Sequence, residues 1–332
     1  MLPALSRTVR RRSLRAGAVL AVVLGLLLWW LLPLGEPAPT GSLTFSTGVR
    51  SGVYQRYGER LRGALDKDLP NVSIHLQTSE GSQQNIARVA TGRADFTIAT
   101  TDALATYLRD RKPGFERLRG CVRLYDDYIQ LVVKRGSDIG KVADLRGRTV
   151  AVGQPGSGVR LVADRIMTAA GLDPVEDVTA VPAGIDTMPK LLEDGRLDAF
   201  FWSGGLPTSA VADLAARFPI RLVPLEEALV KRLQAAGGST RYYRSAVMPA
   251  DAYLNAQQGQ AVPTVAVANV LVTTDRTDPA MTEAFTRTVI DSRDRIGREV
   301  HAAQLVDLRT AIYTDPLPLH EGAKRYYRSV KP

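Results

Sequence analysis

From residue 42 onward the chain alternates short apolar runs with segments of helical period. Leu43-Thr44-Phe45-Ser46 reads as a short strand, and 72–76 alternates apolar and polar positions as a strand does. Further strands are expected at 94–99, 129–133, 149–152, 199–202 and 264–272. Helical spacing of apolar residues marks 54–65, 82–90, 157–170, 186–194, 206–217, 225–236 and 279–296. Strands that alternate with helices predict parallel sheets of the α/β class.

The first 41 residues follow a different pattern. Residues 1–15 are basic, and the 19 residues 16–34 carry no charge. That length matches the roughly 20 residues needed to cross a bilayer as a helix. Trp29 and Trp30 fall toward one end of the run, where aromatic rings favour the interface. The positive-inside rule then puts 1–15 in the cytoplasm and everything after residue 35 outside. The run is either an uncleaved transmembrane anchor or a signal sequence. The prolines in Gly35-Glu36-Pro37-Ala38-Pro39-Thr40 make a poor peptidase site, and no cysteine follows for a lipoprotein. Residues 35–41 read as a short, stiff linker.

Several expected strands end in glycine-rich turns that open helices. These are Thr47-Gly48 with Ser51-Gly52, Thr78 with Gly81-Ser82, and Gly153-Gln154-Pro155-Gly156-Ser157-Gly158. In open α/β sheets, ligands bind beyond the carboxyl ends of the strands. A helix start placed there offers unpaired N–H groups and partial positive charge, and glycine lets the backbone come close. Two or three such turns facing one another would hold an anion without any lysine.

Charge adds little to this picture. Of the formal +9, residues 1–40 supply +4, from five arginines against Glu36, which leaves +5 for the rest. No Lys/Arg stripe is interleaved with aromatics, so a nucleic-acid role has little support. The lone Cys121 sits in an apolar stretch and reads as a small buried hydrophobe. His75, His301 and His320 are far apart and show no metal-type spacing.

The motifs with chemical names fail on inspection. Gly153 to Gly158 has P-loop glycine spacing, but Val159 and Arg160 replace the required Lys and Ser/Thr. There is no G-x-S-x-G elbow, and neither Ser82 nor Ser157 has an evident histidine base. Asp126-Asp127 is a tempting carboxylate pair. Neighbours on a strand point to opposite faces, so a solvated turn is the expectation. Tyr54, Tyr125, Phe201 and Trp202 stand near the glycine turns as either core or ligand platforms. Arg50 and Arg160 read as solvated arginines. Tyr242-Tyr243-Arg244 and Tyr326-Tyr327-Arg328 are expected to cover surfaces.

Taken in order, these elements resemble the TAXI solute-binding proteins, the extracytoplasmic receptors of one class of TRAP transporter. The resemblance runs through Ser46-Thr47-Gly48, Ser51-Gly52-Val53-Tyr54, Thr78-Ser79-Glu80-Gly81-Ser82 with Asn85, and Gly92-Arg93-Ala94-Asp95. It continues in Leu124-Tyr125, Asp144-Leu145-Arg146-Gly147, Val152-Gly153 to Gly158, and 195–201 with Gly205-Leu206-Pro207. It ends with Thr264-Val265-Ala266-Val267 and 318–323, and covers about residues 42–328. Three positions depart from the family pattern: Val159 where a hydroxyl is common, Gln55 where a second aromatic is common, and the charged Arg50.

The resemblance implies a two-lobed periplasmic-binding-protein type II fold with a hinge and an interlobe cleft. Lobe I would be 42–128 plus 265–332, and lobe II 129–264, with crossings near 128–133 and 262–270. Carried over by position, the ligand contacts would be Tyr54, Gly81, Ser82, Asn85, Tyr125, Ser157, Gly158 and Trp202. The implied ligand is a small carboxylate, either a dicarboxylate or an amino-acid-like molecule. No cofactor, metal or catalytic residue is implied. The implied partners are TRAP-type permease subunits, and the membrane itself through the N-terminal helix. The same domain signalling to a membrane histidine kinase is an alternative, and an extracytoplasmic enzyme on this fold is a third.

Overall fold

The computed structural model describes residues 38–330, together with residues 17, 21–25 and 27. The expectations for the basic N-terminus 1–15 and for most of the apolar run 16–34 lie outside the described residues. Among those described, no helix is long and apolar enough to cross a membrane.

The first part of the chain folds as β1 (Gly41–Ser46), α1 (Val53–Asp68), β2 (Val72–Gln77), α2 (Ser82–Ala90), β3 (Phe96–Thr100) and α3 (Thr101–Arg109). The long strand β4 (Leu118–Lys134) leads to β5 (Thr149–Ala151), α4 (Gly158–Ala169), β6 (Thr179–Val181), α5 (Met188–Glu193), β7 (Ala199–Gly204), α6 (Ser209–Arg217), β8 (Ile220–Val223), α7 (Glu227–Ala235), β9 (Arg244–Met248) and α8 (Leu254–Gln257). A second long strand, β10 (Val262–Thr274), returns the chain to α9 (Pro279–Asp291), α10 (Arg293–Gly297), α11 (Leu308–Ala311) and α12 (Glu321–Val330).

The sheet is mixed rather than purely parallel. Its order is β2-β1-β3-β10-β4-β7-β5-β6, with β8 on β4 and β9 on β10. The parallel pairs expected from the alternation are present at each end: β1 lies between β2 and β3, and β5 lies between β6 and β7. The two long strands join these ends and run antiparallel to each other, from Ala266 opposite Tyr128 to Thr274 opposite Leu118. Along both strands the core changes partners. Ile129, Leu131, Val265 and Val267 pack with the residues between them in sequence, whereas Val122, Leu124, Tyr125 and Leu271 pack with the first and last parts of the chain. The result is two α/β lobes connected by two continuous strands.

Four local expectations are corrected. Asp126-Asp127 lies inside β4 and is not a solvated turn, because apolar residues on both sides extend one strand through it. Tyr243 does not cover a surface; it is fully buried. Tyr326 and Tyr327 are also buried, since α12 turns them inward while Arg328 faces out. The helix expected over 279–296 breaks at Ser292, whose buried hydroxyl donates to the Thr288 carbonyl at 2.6 Å. Cys121 is buried, as an apolar role requires.

Candidate functional site

The helices that follow β1, β2 and β5 all begin at one cavity between the lobes. Lobe I contributes Gly52 to Tyr54 at the start of α1, Gly81 and Ser82 at the start of α2, and Thr100 at the end of β3. The facing lobe contributes Gly153, Gln154 and Ser157 to Val159 at the start of α4, with Trp202 and Ser203 of β7. A helix's first turn has backbone N–H groups without intrahelical partners, and its dipole favours negative charge there. Three such starts converging make the cavity receptive to an anion. The cavity is about 50 Å³. One water needs about 10–15 Å³ on the same measure, so the space suits a short ligand.

Two glycines permit this convergence. Gly153 holds φ +86°, and a Cβ there would lie 2.7 Å from Val159 Cβ and 2.8 Å from the Arg160 nitrogen. Gly81 holds φ +128°, and a Cβ there would sit 3.5 Å from the Gly158 nitrogen across the lobe boundary. The lobes are in direct contact around the cavity. The Gln83 amide donates to the Ser157 carbonyl at 2.7 Å, and the Gln84 N–H donates to the Gly156 carbonyl at 3.0 Å. A second contact lies between α3 and α4: Arg165 of α4 reaches Asp102 at 3.0 Å and Thr106 at 2.6 Å, both on α3. Tyr243 donates to the same Asp102 oxygen at 2.7 Å.

Six of the eight residues selected from sequence line the cavity: Tyr54, Gly81, Ser82, Ser157, Gly158 and Trp202. Their roles differ from simple donation. Ser82 Oγ accepts from the Thr100 N–H at 3.2 Å and lies 3.1 Å from the Tyr54 hydroxyl. Tyr54 in turn donates to Asn269 Oδ1. Ser157 caps α4, accepting from the Arg160 N–H at 3.0 Å and donating to the Gln154 carbonyl at 2.7 Å. The Trp202 N–H is held by Thr208 Oγ1 at 3.0 Å, so its ring forms an apolar wall. Burial, followed by the nearby Asp127, raises the Tyr54 pKa well above its usual value and keeps the phenol neutral.

Asn85 and Tyr125 stand behind the cavity and do not line it. Asn85 is fully buried, and its four hydrogen-bonding positions are all used. Nδ2 donates to the carbonyls of Thr47 (2.7 Å) and Ile98 (3.0 Å), and Oδ1 accepts from Ser46 and Ser79, both at 2.7 Å. It fastens the ends of β1 and β3 to the turn before α2. Tyr125 has no exposure and packs against Tyr57 with ring centroids 5.8 Å apart. Arg160 is engaged by Asp164 at 2.9 Å, and Arg50 is exposed.

Sequence reasoning missed Thr100 and Asp127. Thr100 is 3% exposed, and its hydroxyl has no hydrogen-bond partner. Its signal was its place, the last residue of an apolar strand leading straight into a helix. Asp127 is 3% exposed and accepts from Asn269 Nδ2 at 2.8 Å and Ser203 Oγ at 3.1 Å. Burial raises its pKa to about 7, against the lowering effect of those two bonds. The apolar residues on both sides of it, at 121–125 and 128–133, were the available signal.

The model of the NMT1-like family matches residues 45–330. Among solved structures, the chain is similar to an ancestral arginine-binding protein bound to arginine, at 15% identity and a TM-score of 0.50, over 78% of this chain and 97% of that one. It is similar to a protein of Bordetella bronchiseptica RB50 at 16% identity and a TM-score of 0.50, over 88% and 90% of the two chains. A third is the alkanesulfonate-binding protein of Xanthomonas axonopodis pv. citri bound to MOPS, at 16% identity and a TM-score of 0.47, over 90% and 86%. The two at 0.50 agree with the two-lobed, periplasmic-binding-protein-like fold described above.

Proposed function

This chain belongs to the NMT1-like family, and we propose that it is an extracytoplasmic solute-binding receptor of the TAXI type. It captures a small organic acid, dicarboxylate or amino-acid-like, and presents it to the permease subunits of a TRAP-type transporter. In this reading it catalyses nothing, and residues 16–34 hold it at a membrane with the N-terminus inside. Lobe I is 42–128 plus 265–332, lobe II is 129–264, and the two strands between them bend as the cleft closes on ligand.

The observation that carries the proposal is the set of donors that meet at one cavity. Three helix starts face the cavity, and the Thr100 hydroxyl is buried there without a partner. Leaving such a hydroxyl unbonded costs about 1–3 kcal/mol, which a ligand oxygen would recover. Each helix start favours an anion by about 0.3–1 kcal/mol. The motif order quoted above supports the transporter class.

A thermal-shift screen of the chain against small acids, amino acids and sugars tests the proposal. Carboxylates should raise the midpoint, equivalent to about 2.7 kcal/mol at 100 times the dissociation constant. Thr100→Val should weaken that binding by about tenfold, the worth of one hydrogen bond. If no carboxylate binds saturably, the proposal fails.

A further inference from the structure

Two acidic residues line the cavity, the exposed Glu80 just before α2 and the buried Asp127; the buried one has no use in the carboxylate reading. Asp127 lines the cavity from β4 and is 3% exposed. Its two hydrogen-bond partners, Asn269 and Ser203, are neutral. Among the described residues, no lysine, arginine or histidine forms an ion pair with it. Arg123 (2.8 Å) and Arg244 both pair with Asp126 instead, on the opposite face of the strand. The other titratable groups acting on it are its neighbour Asp126 and Asp102 of α3, both of the same sign, and the neutral phenols Tyr54 and Tyr125.

The direction of the surrounding hydrogen bonds points the same way. The Thr100 N–H donates to Ser82, and Tyr54 donates to Asn269 Oδ1. With its proton spent there, Tyr54 must accept from Ser82 across their 3.1 Å contact. Asn269 Nδ2 then donates to Asp127. The two hydroxyls of this relay, Ser82 and Tyr54, point their protons toward Asp127 and away from a ligand. A carboxylate accepts about four hydrogen bonds, and two positions are filled here. The cavity therefore offers donors at its helix starts and a strong acceptor at Asp127.

We propose that Asp127 is the specificity-determining residue for an amine, so that the ligand is a short zwitterion whose carboxylate meets the helix starts and whose ammonium donates to Asp127. This rests on the carboxylate reading above and narrows its two ligand types, dicarboxylate or amino-acid-like, to the second. A buried carboxylate without a cation is costly, and a ligand ammonium removes that cost.

The test is calorimetric titration of the full-length chain with matched pairs: L-alanine against pyruvate, and L-glutamate against 2-oxoglutarate. The amino acid of at least one pair should bind ten or more times tighter than its keto acid at pH 8. Asp127→Asn should erase that preference while keto-acid binding holds or improves. In the unmutated chain, amino-acid affinity should fall as pH drops below about 7, where Asp127 takes up a proton. Keto-acid affinity should show no such fall. Keto acids binding as well as amino acids would overturn the assignment of Asp127 and leave the carboxylate receptor standing. No saturable binding in either pair would overturn both.

Discussion

Two buried aspartates sit near the lobe boundary in opposite circumstances. Asp102 is 1% exposed and has a cation, Arg165, at 3.0 Å, with Tyr243 at 2.7 Å. Asp127 is 3% exposed and has only an amide and a hydroxyl. Asp102 does not line the cavity and ties α3 of one lobe to α4 of the other. Asp127 lies in the cavity wall. Burial alone therefore does not separate structure from function. A charge that the protein itself neutralises holds the fold together, and a charge left unneutralised beside a cavity is available to a ligand.

Asp102 can be put in the situation of Asp127. Arg165→Ala removes the cation and leaves a buried carboxylate without its counter-charge. Loss of one partner of a buried pair costs about 3–5 kcal/mol, and urea unfolding should show a loss of that order. The double variant Asp102→Ala with Arg165→Ala should recover part of it, because the orphaned charge is gone. The same cluster spans the lobes, so Arg165→Ala should also enlarge the radius of gyration in solution scattering without ligand. An unchanged stability would mean that the pair is not what holds α3 to α4.

Neither aspartate was legible from local pattern, for different reasons. Asp102 belongs to α3, a helix that starts directly after β3 with no turn between them. The apolar strand signal hides such a helix, and its partners Arg165 and Tyr243 lie 63 and 141 residues away. Asp127 was misread because two adjacent acids look like a turn. In fact β4 runs for 17 residues and places Asp126 and Asp127 on opposite faces. The turns at Gly81 and Gly153 were legible, because a positive φ with close backbone approach calls for glycine at a fixed place in strand–turn–helix order. Asn85 shows the limit of motif transfer. Its spacing from Gly81 places it correctly beside the site, yet its four bonds go to the protein.

The empty protein should register the unpaired half of the comparison through pH. Asp127 has a folded pKa of about 7, while an unfolded aspartate titrates near 3.9. The folded state therefore holds this proton more tightly. The stability contributed by Asp127 is fully present below about pH 4 and is lost as pH rises through about 7, at up to about 1.4 kcal/mol per pH unit. Asp127→Asn has no proton to lose. It should be more stable than the parent at pH 8, and the difference should shrink to nothing near pH 4. Denaturant titrations at several pH values measure this directly. A parallel pH profile for the two proteins would mean that Asp127 is solvated or paired after all.

The smallest expected effect separates holding the cavity's shape from contacting its ligand. Ser157 lines the cavity, yet its hydroxyl accepts from the Arg160 N–H at 3.0 Å as the cap of α4. Losing such a cap costs about 1 kcal/mol. Ser157→Ala should lower stability by that amount, and Ser157→Asp, whose side chain can also cap, should restore it. For binding, the two variants should diverge. Alanine leaves the first N–H groups of α4 in place and should weaken a carboxylate only a few-fold through a looser helix start. Aspartate brings a negative charge to the same place and should abolish carboxylate binding while the fold stays intact. Equal binding by both variants would mean that the ligand's negative end lies elsewhere. The start of α4 would then serve the fold alone, as Asp102 does.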